Sequence, residues 1–215
     1  MRRVLLAAVP VLLALAACGG EDERADGAFS KRDEGAQTVY ELHKPHFSLG
    51  VPKSWTAITR SELQEMGALD RFAEDNPAIA PVLEGVLQPG SPMKFVALDP
   101  VVRQGFSTNV NVVVHDVPDD LDLQELARSS AAELASLGVA DLKTAEVSLP
   151  AGRAVKLAFR LKARYGATTR AVATLQYALL ADGMSYVLTY STLPDLETRY
   201  AAAFDESARS FRVGG

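Results

Sequence analysis

Internal disulfides are excluded outright, because the 215-residue chain has one cysteine, Cys18. Aromatic residues are sparse at 7%, with a single tryptophan, and there are only three histidines. No apolar run reaches the ~20 residues that a membrane-spanning helix needs. The longest early one, residues 4–17, covers fourteen positions and is interrupted by Pro10. A basic excess is missing too: 22 Lys and Arg stand against 27 Asp and Glu, a formal net charge of -5. That argues against a general nucleic-acid binder, whose footprint is positive. The G-x-S-x-G elbow, H-E-x-x-H, the P-loop and the Rossmann glycine fingerprint are all absent. What remains is ordinary globular composition, 48% hydrophobic and 23% charged. This is enough apolar material for one core, and it excludes collagen-like and wholly disordered classes.

The amino terminus carries the most specific pattern. Met1-Arg2-Arg3 precedes the short apolar run, which ends Leu15-Ala16-Ala17-Cys18. A positive start, a short apolar stretch and small residues at its end form an export signal. The four residues 15–18 resemble the bacterial lipobox. The resemblance implies a diacylglyceryl thioether on Cys18, cleavage before it and acylation of the new amino group by a chain such as palmitate. Each buried CH₂ contributes ~0.8 kcal/mol, and two chains anchor durably where one does not. An ordinary cleaved signal with an incidental cysteine is the alternative. Loss of Arg2 and Arg3 with the signal moves the net charge from -5 to -7, so lipid rather than charge would hold the body at an anionic membrane. The expected address is the outer face of the cell membrane, the outer leaflet in a Gram-positive or actinobacterial cell.

Residues 19–38 hold four glycines, six acids, three bases and one large apolar residue, Phe29. Such a segment has too little to bury to offset its ordering entropy. It reads as a disordered tether spanning about 25 Å. The organisation expected is therefore a signal at 1–17, an acylated cysteine and tether at 18–38, and one domain at 39–215.

Within that domain Phe47, Leu49 and Val51 alternate up to Pro52, followed by Trp55. Ser61-Glu62-Leu63-Gln64 has the form of a capping box, with Met66, Leu69 and Phe72 continuing at helical spacing. Asn76-Pro77 opens a second helix that stops at Pro89-Gly90. Residues 93–98 fit a buried strand, and Val110, Val112 and Val114 share one face of another. Asp122 with Glu125 caps a helix carrying Leu123, Leu126, Ser130, Leu134 and Leu137, and Gly138 ends it. Three long strand signals follow. Val155, Leu157, Phe159 and Leu161 alternate with Lys156, Arg160 and Lys162 in the first. The second contains Leu175, Tyr177 and Leu179, and the third Tyr186, Leu188 and Tyr190, with Asp182-Gly183 as a tight turn between them. A last helix starts near Pro194 and places Leu196, Tyr200, Phe204 and Phe211 on one side. Strands with one apolar face and helices with one apolar stripe give an α+β domain, an antiparallel sheet flanked by helices.

Pro52-Lys53-Ser54-Trp55, the Asn-rich strand 109–114, Gly152-Arg153-Ala154 after a helix and a strand, the Tyr-rich strand and the closing Ser210-Phe211 form a recurring order. Over residues 40–213 this resembles the αβα sandwich of the PsbP-like families, shared by PsbP, the Ran-binding Mog proteins and exported actinobacterial lipoproteins of the LpqN type. The resemblance implies a non-enzymatic binding or accessory protein without a cofactor. It also implies core positions for Trp55 and Phe159. It supplies no ligand set.

Candidate chemistry is thin. His43, His46 and His115 are possible metal ligands, but residues three apart on an extended strand point to opposite faces, which leaves them as surface histidines. Asp116, Asp119, Asp120 and Asp122 offer oxygens of the kind Ca²⁺ takes, against a simpler role in capping and solubility. Lys156, Arg160, Lys162, Arg164 and Arg170 read as a basic row on adjacent strands, either a partner surface or a solvated face. Tyr177, Tyr186 and Tyr190, with Met184, either line a ligand groove or pack under the last helix. The functional expectation is a lipid-anchored module that binds an envelope protein or small ligand. The alternatives are a carrier of an apolar molecule between sheet and helices, or a hydrolase using an unrecognised constellation, which would require activity lost on mutating His115 or the loop Asp116–Asp122.

Overall fold

The computed structural model describes residues 29–58, 91–165 and 168–214. The signal, Cys18 and the helices read at 61–72 and 76–87 lie outside the described residues. Two antiparallel sheets and two helices make up the rest. The smaller sheet, in the order β1-β2-β3-β11, joins β1 (Phe29–Glu34), β2 (Gln37–His43), β3 (His46–Pro52) and β11 (Arg212–Val213). The larger runs β4-β5-β6-β10-β9-β8-β7. Its strands are β4 (Thr56–Ile58), β5 (Met93–Leu98), β6 (Asn109–Asp116), β7 (Ala140–Leu149), β8 (Gly152–Tyr165), β9 (Thr168–Ala181) and β10 (Met184–Thr192). Helix α1 (Leu123–Ser136) leads into β7, and α2 (Glu197–Ser210) follows a 3-10 turn at Pro194–Leu196.

Local chemistry accounts for the boundaries. Asp122 Oδ1 accepts the Glu125 backbone N–H at 2.7 Å, which satisfies one donor left over by the first turn of α1. Gly138, at φ +71°, reverses the chain after α1 and donates to the Ala135 carbonyl. Between β9 and β10, Asp182 (φ +52°) and Gly183 (φ +71°) both adopt the left-handed conformation, the requirement of a two-residue turn that matches strand twist.

The larger sheet is covered on both faces. On one, Phe95, Val110, Val112, Tyr177, Leu179, Tyr186, Leu188 and Tyr190 meet Tyr200, Phe204 and Ala208 of α2 together with Phe47, Leu49 and Val51 of the small sheet. On the other, α1 packs Leu134 on Val155, Leu157 and Phe159, and Leu126 on Ala178 and Val187. Trp55 and Phe159 are both buried. Leu137, expected on the covered stripe of its helix, is 57% exposed because α1 has already ended at Ser136.

The folded part begins earlier than composition suggests. Phe29–Glu34 and the start of β2, assigned to the tether by their polarity, form a hairpin paired from Phe29↔Leu42 to Glu34↔Gln37. The turn is made at Gly35, φ +57°. β1 is an edge strand whose described side chains are exposed, so it gains order from the backbone ladder rather than from burial. Charged side chains suit such an edge because they discourage pairing with another chain. Arg32 lies 3.5 Å from both Glu34 and Glu41, and Lys53 lies 3.3 Å from Asp33.

Candidate functional site

The three tyrosines offered as groove residues are core residues. Tyr177, Tyr186 and Tyr190 lie on the face closed by α2, and each is at most 3% exposed. Tyr190 donates its hydroxyl to Ser207 Oγ of α2 at 3.1 Å, and its ring meets Tyr177 edge-on and Phe204 at 5.0 Å. Tyr186 packs edge-on against Phe47 and Phe211, with its hydroxyl 3.8 Å from Met184 Sδ. Burial raises the pKa of all three phenols. Tyrosine hydroxyls need partners once buried, and α2 supplies one in Ser207.

A further buried pair was not read from the sequence. Tyr200 of α2 donates to Asp99 Oδ2 at 2.6 Å, while Asp99 Oδ1 accepts the Val101 N–H. Burial, then the neighbouring Asp99 carboxylate, raises the Tyr200 pKa. The 101 residues that separate the two leave no local signal for it.

The basic row dissolves into separate roles. Cross-strand partners share a face, and Lys156 stands opposite Tyr177, so its stem lies on the α2 face. Its ammonium sits 5.6 Å from the Tyr177 ring centroid, within cation–π range. Arg160 reaches Glu197 of α2 at 2.7 Å and Asp141 at 4.0 Å, fastening a strand to a helix start. Arg170 stands opposite Ala163, on the other face of the sheet, and donates to Gln104 Oε1 at 3.0 Å. Lys162 is exposed. The side chain of Arg164 is not described. The two strands are adjacent as expected and Lys156, Arg160 and Lys162 share a face, but the register places Arg170 on the other one, so the expected cluster is corrected at that position.

The histidine expectation is corrected as well. The chain does not run extended from His43 to His46. It turns at Lys44-Pro45, so the two histidines become direct partners across the β2–β3 pair, His43↔His46. Glu41, two residues before His43 on β2, shares that face. The ligating atoms of Glu41, His43 and His46 all lie within 4.8 Å of one another, the one such group among the described residues. His46 Nε2 is 3.1 Å from Glu41 Oε1, and the two rings stack with centroids 6.2 Å apart. The hydrogen bond from His46, reinforced by the charges of His46, His43 and Arg32, lowers the Glu41 pKa. A turn at Lys44-Pro45 was the missing premise, since without it the spacing E-x-H-x-x-H scatters over two faces.

His115 is not part of this group. It stands on β6 opposite Ser185, and its Nε2 is buried without a hydrogen-bond partner. Burial lowers its pKa. Asp116, Asp119, Asp120 and Asp122 are exposed, and Asp122 is committed to capping α1.

No protein-family model matches the chain, and no curated protein matches it. Solved structures do. The PsbP of the cyanobacterium Synechocystis superposes with a TM-score of 0.50 at 18% identity, over 93% of this chain and 99% of that one. LpqN of Mycobacterium tuberculosis, involved in cell envelope biogenesis, gives 0.48 at 11% identity over 88% and 94%. The Ran-binding protein Mog1p of Saccharomyces cerevisiae gives 0.48 at 13% identity over 86% and 96%. With two antiparallel sheets, an aromatic-packed closing helix and superposition of 93% of its length on the cyanobacterial protein, this chain has the PsbP-like fold.

Proposed function

We propose that the protein is an exported, lipid-anchored accessory module, attached to the outer face of the cell membrane through Cys18 and binding an envelope protein or small envelope ligand without chemistry of its own. The observation that carries this reading is Leu15-Ala16-Ala17-Cys18 at the end of a short apolar run, with a PsbP-like head beginning eleven residues later at Phe29. An acidic head is not drawn to anionic lipid by charge, so the acyl chains at Cys18 supply the attachment. Within the head, most groups that could have served catalysis are committed to structure. The tyrosines fill the core, Asp122 caps a helix, and Asp99 holds Tyr200.

The test is metabolic labelling of cells with an alkyne palmitate, comparing the intact chain with Cys18→Ala, followed by membrane fractionation. Label and membrane retention that both vanish with Cys18→Ala support the anchor, and an unlabelled intact chain sinks it. Proximity crosslinking in membranes then reads the binding role. A reproducible neighbour absent from an unrelated lipid-anchored control is expected. Failure to recover any neighbour above that control would remove the binding half of the proposal.

A further inference from the structure

The geometry points to a divalent transition-metal site at the tip of the β2–β3 hairpin, formed by Glu41, His43 and His46 and fitted best by Zn²⁺. Register builds it. In an antiparallel pair, directly opposite residues project on one side, and residues two apart on a strand project on the same side. His43↔His46 pairing therefore fixes both imidazoles on one face, and Glu41 joins them from one pleat away. Leu42 and Phe47, the positions between, point the other way into the core and hold the tip in place. The ligand-bearing side chains are free to adjust, since His43 is exposed and Glu41 and His46 are partly so.

The distances suit a small ion. Bonds of about 2.0–2.2 Å place neighbouring atoms of a tetrahedral Zn²⁺ shell about 3.3–3.6 Å apart. Glu41 Oε1 and His46 Nε2 already stand at 3.1 Å, and the third ligand atom is within 4.8 Å of both. Modest rotations of surface side chains close the set with no change of backbone. Two imidazoles and one carboxylate select zinc and its first-row neighbours over Ca²⁺ or Mg²⁺, which prefer all-oxygen shells. Three protein ligands leave a fourth position open to water or to a donor from a bound partner. Arg32, 3.5 Å from Glu41 Oε2, is the one described cation paired with the site, and it works against a bound dication.

The experiment is isothermal titration of Zn²⁺ into the full chain in detergent micelles, stripped with chelator and with Cys18 alkylated so that no thiol competes. Chemical shifts of the histidine ring nitrogens are followed in parallel. Saturable binding at one ion per chain is expected, with the ring signals of His43 and His46 moving and that of His115 still. His43→Gln, His46→Gln and Glu41→Gln should each weaken binding by about tenfold or more, whereas His115→Gln leaves it unchanged. Thermal melting of each variant without metal checks that the hairpin is intact. Absence of binding, or binding equally strong in His43→Gln and His46→Gln, would overturn the assignment. So would an equal loss in His115→Gln. None of these outcomes depends on whether Cys18 is acylated.

Discussion

The two faces of the seven-stranded sheet are both covered, yet they are built from different materials. The α2 face is aromatic: Trp55, Tyr200, Phe204, Tyr190 and Tyr177 form one group of ring contacts and Phe47, Tyr186 and Phe211 a second, with centroids between 5.0 and 6.4 Å apart. Its described buried hydroxyls are paired, Tyr190 to Ser207 and Tyr200 to Asp99. The α1 face is mainly aliphatic, with Phe159 as the ring in its Leu134 cluster, and is interrupted by polar groups. Thr174 Oγ1, Ser185 Oγ and His115 Nε2 are buried there without a hydrogen-bond partner. Large rings with satisfied polar tips lock one face into a single arrangement, while short aliphatic side chains around orphaned polar atoms leave the other less determined. Stability should therefore be concentrated on the α2 face.

The largest expected loss follows from truncating the centre of the larger aromatic group. Phe204 contacts Trp55, Tyr190 and Tyr200, and Phe204→Ala should cost about 3–5 kcal/mol. Leu134, fully buried on the α1 face, tests the other side, and Leu134→Ala should cost about 2–4 kcal/mol. Urea midpoints of the two variants at constant m-value decide between them. A larger shift for Leu134→Ala would reverse the ranking of the faces. Next in size is Tyr200→Phe, which keeps the ring but removes the donor to Asp99 Oδ2. It should cost about 1–3 kcal/mol, since a buried acceptor is left unpaired. Asp122→Ala, which removes only the α1 cap, should cost about 1 kcal/mol and is read in the same titration.

The α2 face was the more legible in the sequence, and the reason is periodicity. Val110, Val112 and Val114, then Tyr186, Leu188 and Tyr190, alternate cleanly, and Tyr200 with Phe204 falls on one helical stripe. Caps and the Asp182-Gly183 turn are local chemistry, and they were readable for the same reason. Long-range pairing was not. β1 carries no apolar alternation because an exposed edge needs none, so residues 29–38 resembled a tether. The basic row was drawn from strand adjacency without register, and one position decides whether Arg170 faces with or against Lys156. The Glu41–His43–His46 group depended on a turn at Lys44-Pro45, the only feature that turns a three-residue spacing into a cross-strand pair.

The smallest expected effect comes from His115 and appears only with pH. Burial holds its ring neutral in the folded chain, with the pKa below the ordinary 6.5; the Asp116 charge opposes this and Lys94 adds to it. Above pH 6.5 the ring is neutral in folded and unfolded chains alike, so it contributes no pH dependence. As pH falls below 6.5, the unfolded chain takes up the proton first and stability declines. The decline ends once pH has passed through the lower folded-state value, where both forms are charged. His115→Gln removes that ring, so its urea midpoint should change less than the intact chain's between pH 7.5 and pH 5.5. Because His43 and His46 are present in both proteins, the difference between the two curves isolates His115. If the curves ran parallel, the buried Nε2 would carry no energetic cost, and the α1 face would lose one of the orphaned groups that set it apart from the aromatic face.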